Sequence, residues 1–129
     1  ERPFWGWGSA IFPVLYFSLY GINAAQHTHS LPLHLAFTYG LPLAICLLAM
    51  VSLIIFKSYK IVFLDKNNCS NDLNKAWLVS CMVIIFWHIS DIPYFDGKIS
   101  ILSWILLGGL CSIIKENEKE STKNLIRQR

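Results

Sequence analysis

The side chains in this sequence that could do acid–base or phosphate chemistry gather around a few positions. His27-Thr28-His29-Ser30 places two histidines directly before a long apolar run, and His34 follows one turn inside that run. Histidine titrates near neutrality, so it can take or give a proton at working pH. Arg2, upstream, offers the planar fork that grips phosphate oxygens in pairs. His88 and Asp91 stand at i and i+3, a spacing that brings two side chains onto one helix face, as a structural clasp or as support for a site. A metal site on His27, His29 and His34 is the competing use of the same residues. It lacks nearby acidic partners, and no Cys-x-x-Cys or similar zinc spacing accompanies it. The plainer reading of each histidine is also open: His29 as a loop residue at a membrane surface, His27 as a solvated neighbour, His34 as a packing residue. On a helix His27 and His29 would face different ways, so only one of them would point into a site.

These residues sit at the mouth of a membrane-type segment. Roughly 20 apolar residues cross the hydrocarbon core as a helix, and Leu35 to Phe56 runs that far without a formal charge. Pro32 near its start is tolerated because a first-turn N–H has no helical partner anyway. Gly40-Leu41-Pro42 lies deeper and predicts a kink, because proline removes one backbone bond. A second span is expected within Leu73 to Phe95, with Ala76 to Ile89 as its apolar core. After the turn Asp91 to Lys98, a third of 16 residues follows at Ile99 to Ile114. Upstream, Ala10 to Ile22 is too short to span and reads as an interfacial or re-entrant helix. Trp5-Gly6-Trp7-Gly8 before it fits the membrane–water boundary, where Trp and Tyr concentrate. Stacking of Trp5 and Trp7 on sugar rings is the sharper alternative.

Composition agrees. Of 129 residues 54% are hydrophobic and 15% charged, and the mean hydropathy is +0.46. A water-soluble domain is excluded in favour of the membrane class. The net charge of +3 does not signal nucleic acid, because nine of the eleven Lys and Arg lie in two segments: the connection holding Lys57, Lys60, Lys66 and Lys75, and the tail holding Lys115, Lys119, Lys123, Arg127 and Arg129. Such clustering is what orientation in a membrane produces, and it assigns both segments to the cytoplasm and the histidines to the outside. Cys46, Cys81 and Cys111 fall in apolar runs and Cys69 in the lysine-bearing loop, so reduced, structural thiols are expected. No signal peptide and no internal repeat is visible, and the chain begins Glu1-Arg2-Pro3, which reads as a piece of a longer protein.

In order, these pieces resemble the C-terminal part of the O-antigen ligase and O-antigen polymerase family of bacterial membrane proteins. Arg2-Pro3-Phe4-Trp5-Gly6-Trp7-Gly8-Ser9-Ala10-Ile11-Phe12-Pro13 looks like the family's P-x-x-G-x-G-x-x-x-F opening of a large periplasmic loop. His27-Thr28-His29-Ser30-Leu31-Pro32-Leu33 looks like its H-N-x-x-L motif, with Tyr39-Gly40-Leu41-Pro42 in the helix beyond. Asp91 to Gly109 looks like the last hairpin and final helix. The resemblance covers about Arg2 to Ile114. It implies glycosyl transfer outside the inner membrane, from an undecaprenyl-pyrophosphate-linked glycan to lipid A-core or to another glycan acceptor. The family's histidine base maps to His29. Its neighbouring Asn is Ser30 here, a departure, though Ser still donates and accepts hydrogen bonds. The family's pyrophosphate-contacting arginines lie mostly upstream, and Arg2 is the candidate in this sequence.

The expectation is therefore an all-α polytopic membrane protein fragment with about three transmembrane helices and an external N-terminal loop: 1–30 a periplasmic loop segment with an interfacial helix, 31–114 the three-span region, 115–129 a cytoplasmic tail. His29 is the catalytic candidate, with Arg2, His27, Ser30 and His34 as substrate-binding candidates. The scheme calls for no metal and no cofactor. The expected partners are the carrier-linked glycan, its acceptor and membrane lipids, with no nucleic acid. Ligase and polymerase share these motifs. A transporter-like member of the same family, described as a putative bicarbonate transporter, and a non-catalytic membrane scaffold are the rival readings.

Overall fold

The computed structural model describes residues 2–21, 28–64, 72–91 and 93–127. Within them the chain is all-α, with no strand. The helices are α1 (Ile11–Tyr20), α2 (Leu31–Tyr39), α3 (Leu41–Tyr59), α4 (Asp72–Ser90) and α5 (Gly97–Arg127). α3 continues through a π-helical stretch, Lys60–Leu64, and a 3-10 turn, Pro93–Phe95, links α4 to α5. Three segments are long and apolar enough to cross a membrane: Leu41–Leu64, Asp72–Ser90 and the apolar part of Gly97–Arg127. Their large apolar side chains remain mostly exposed within the chain, Phe86 at 74% and Ile101 at 63% among them. In water such a surface would drive aggregation; in a bilayer it is the solvated face. This is a membrane protein.

The first span begins later than the sequence pattern suggests. The span expected over Leu31 to Phe56, with a kink at Gly40-Leu41-Pro42, is two helices, α2 and α3, separated at Gly40. Gly40 has φ 91° and ψ 161°, a conformation that residues with a Cβ avoid. The chain pauses for one residue, then Pro42 opens α3 in its first turn, where a missing N–H costs nothing. The interruption thus falls two residues before the proline. The spanning portion shifts toward the lysines and ends at Leu64, which absorbs the start of the expected polar connection. Residues 65–71, including the Asp65-Lys66-Asn67-Asn68 turn and Cys69, lie outside the described residues.

α3, α4 and α5 pack around Val62, Leu78, Cys81, Leu106 and Leu110. One contact fixes α4 against α5. The Trp77 indole lies where a Cβ on Gly109 would be, and its Nε1–H donates to the Leu106 carbonyl at 2.9 Å. A bulky side chain and a bare backbone thereby interlock, as small residues allow between membrane helices. Gly108, next to it, has open space where a Cβ would go. The tail, which the sequence reads as partly helical or disordered, is a continuation of α5. The charged stretch after Ile114 continues as helix to Arg127, because Lys and Glu are strong helix formers and Glu116–Lys119 and Glu120–Lys123 are spaced for same-face pairing. At 1.5 Å per residue α5 is about 46 Å long, well past a hydrocarbon core of about 30 Å.

Candidate functional site

His29, His34 and His88 collect at the end of the bundle opposite Lys57, Lys60 and Lys115. His29 stands just before α2. Its Nδ1 lies 3.6 Å from Asp91 Oδ1, the residue that follows α4. That is ion-pair distance and longer than a hydrogen bond. The His29 side chain is 83% exposed and Asp91 55%, so the pair opens to solvent beyond the helix ends. The local backbone explains why His29 is held there. Thr28 Oγ1 donates to the Ser30 carbonyl at 3.1 Å, and the same carbonyl accepts from His34 N–H at 2.9 Å as α2 begins. Ser30 is extended, with φ −150° and ψ 121°, and caps α2 by position without a side-chain bond. Its hydroxyl is therefore not committed to the helix.

His34 is drawn inward. Its Nε2 lies 3.4 Å from Thr38 Oγ1, and its ring meets Phe95 edge-on at 5.2 Å between centroids. Phe95 belongs to the turn before α5, so His34 joins α2 to the α4–α5 hairpin. His88 is buried on α4, and its Nδ1–H donates to the Ile84 carbonyl at 2.7 Å. That bond fixes the Nδ1-protonated tautomer, since a carbonyl can only accept. His88 Nδ1 turns back along its own helix, and the Asp91 carboxylate reaches His29. His27 lies outside the described residues. Among the described residues no three His, Cys, Asp or Glu side chains converge as a metal site would require.

The N-terminal segment is built onto the α2–α3 break as a strap. Trp7 N–H donates to the Phe37 carbonyl at 2.8 Å and Gly8 N–H to the Thr38 carbonyl at 3.0 Å, while Leu41 N–H donates to Pro3 O at 2.8 Å. The last bond satisfies one of the N–H groups that opening α3 leaves over. The two backbones approach so closely that a Cβ on Gly6 would fall on the Thr38 carbonyl, and one on Gly40 on the Phe4 carbonyl. Trp7 stacks near-parallel on Phe37 at 6.4 Å and carries the Arg2 guanidinium 5.5 Å from its ring centroid. Trp5 is 88% exposed. Of the two tryptophans, Trp7 is committed to the strap and Trp5 is the one presented outward. The signal for the strap was in the sequence, as glycines at 6, 8 and 40 beside prolines and aromatics, but nothing in one dimension pairs Gly6 with Gly40.

What the arrangement offers is a solvent-facing imidazole beside a carboxylate, an arginine on the strap, and an aromatic ring, all at one end of an apolar bundle. No family model, curated protein or solved structure matches this chain.

Proposed function

We propose that this chain contributes the acceptor-activating site of a membrane glycosyltransferase of the O-antigen ligase type, which moves a glycan from an undecaprenyl-pyrophosphate carrier to a lipid A-core or glycan acceptor. The observation that carries the reading is the His29–Asp91 pair, exposed at the end of the helices away from the lysines. A carboxylate beside Nδ1 orients the ring and favours the tautomer with Nε2 free to accept a proton. In the proposed step, His29 Nε2 takes the proton of the acceptor hydroxyl as its oxygen attacks the anomeric carbon. The bond from that carbon to the carrier's pyrophosphate oxygen breaks, and the pyrophosphate leaves with the electron pair. Arg2 lies over Trp7 and is the proposed partner for the phosphate charge, and Ser30, next to His29, is the proposed acceptor contact.

The orientation follows the lysines. With Lys57, Lys60 and the α5 extension cytoplasmic, the His29 end faces the periplasm of the bacterial inner membrane. The transporter reading draws on the break at Gly40, since interrupted helices line substrate paths in transporters. Here the strap takes up the Leu41 N–H, which favours a structural break. The test is the ladder of glycosylated acceptor lipid from cells carrying His29→Ala, with protein abundance measured alongside. Loss of the ladder at equal abundance supports the transferase. Near-normal transfer sinks the assignment of His29, and ion flux that persists in His29→Ala would favour transport.

A further inference from the structure

A second feature lies at the other end of the bundle and does not rest on the glycosyl-transfer reading. α3 and α5 leave a groove of about 530 Å³ between them. Its walls are apolar, from Met50 and Leu53 on α3 and Cys111 and Ile114 on α5, and its mouth carries Lys57 and Lys115, one from each helix. The lysines sit about 24 Å along α3 and about 27 Å along α5 from the far helix ends, at 1.5 Å per residue. That places them where a bilayer's hydrocarbon gives way to headgroups. Glu118 also lines the mouth. Among the described residues neither lysine pairs with it or with any other carboxylate.

We propose that this groove is a binding site for an anionic phospholipid of the host membrane, with an acyl chain along the apolar walls and the phosphate between Lys57 and Lys115. The commitment to a lipid, not to another helix, rests on charge and depth together. A packed helix would have to bring an acidic residue to both lysines, whereas the bilayer supplies phosphate at that level. Two cations from different helices also suit one bridging phosphate, since each lysine acts as a compact point charge on a flexible stem. Glu118 tempers the site and makes the proposal sharper, because removing its charge should strengthen binding.

The test is native mass spectrometry of the protein released from bilayers of equimolar phosphatidylglycerol and phosphatidylcholine with identical acyl chains. The wild type should retain phosphatidylglycerol preferentially. Lys57→Gln with Lys115→Gln should erase the preference, by on the order of fivefold for each lysine. Glu118→Gln should raise it, and Lys98→Gln, at the opposite end, should leave it unchanged. Filling the groove with Ile114→Trp should lower retention of both lipids, and inorganic phosphate should not compete. Equal retention of the two lipids by the wild type overturns the proposal, as does an unchanged preference in the double lysine variant. A dimer that carries no lipid and dissociates on Ile114→Trp would overturn it in favour of a second copy of the chain. Circular dichroism of each variant separates loss of the site from loss of the fold.

Discussion

At the scale of single residues, His29 and His34 show how neighbours set a histidine's use. Both belong to the same short stretch. His29 is left in solvent beside Asp91, while His34 is taken up by Thr38 and Phe95. If His29 is the base, His29→Ala should lower glycan transfer by about 10²–10⁴-fold, the usual worth of a positioned general base, with insertion and abundance unchanged. Asp91→Asn keeps the shape but removes the charge that orients the ring, so transfer should fall by less. His34→Ala should act differently: it removes a packing link to the hairpin, so the expected loss is in thermal stability as well as transfer. Comparing melting in detergent with the glycosylated-lipid ladder separates the two kinds of defect. A larger transfer defect in His27→Ala than in His29→Ala would move the base assignment to His27.

At the scale of elements, two close approaches hold the architecture, and both depend on glycine. The strap reaches the α2–α3 break because Gly6 and Gly40 let backbone meet backbone. Gly40→Ala should cost about 1–3 kcal/mol from the left-handed backbone conformation, plus displacement of Phe4. Its measure is a lower melting temperature together with faster protease cleavage within residues 2–8. The second approach is Trp77 on Gly109. Trp77→Phe keeps the ring but loses the bond to the Leu106 carbonyl, at about 1 kcal/mol. Gly109→Leu should cost about 1–3 kcal/mol by forcing the indole out. Thermal unfolding in detergent followed by circular dichroism reads both, and the order Gly109→Leu worse than Trp77→Phe is the expected result. Gly108→Ala, with open space around it, serves as the near-neutral comparison.

At the scale of the whole molecule, the described residues place His29, His34 and His88 at one end of the bundle and Lys57, Lys60 and Lys115 at the other. With the lysine end cytoplasmic, as proposed, Asp96 is expected outside and the α5 extension inside. With the native cysteines replaced, a single cysteine at position 96 should react with a membrane-impermeant reagent in intact spheroplasts. One at position 119 should react only after permeabilisation. The reverse labelling pattern would invert the protein and place His29 in the cytoplasm, away from any exported glycan.

The membrane class, the all-α fold and the approximate positions of α1, α4 and the apolar part of α5 were legible in the residues themselves. Apolar length and the absence of charge are properties of a segment, and a bilayer demands them of each segment separately. The separation of histidines from lysines was legible for the same reason. What the sequence misplaced depends on partners distant in the chain. The split of the expected first span at Gly40 became a stable break because Pro3 and Phe4 come back to meet it. Asp91 reaches His29, 62 positions earlier, a contact that no local spacing foretells. Gly109 matters and Gly108 does not, because Trp77 arrives at one and not the other. Periodicity and composition carry no information about which two segments touch; packing decides that, through hydrogen bonds and side-chain volumes that only meet once the helices are side by side.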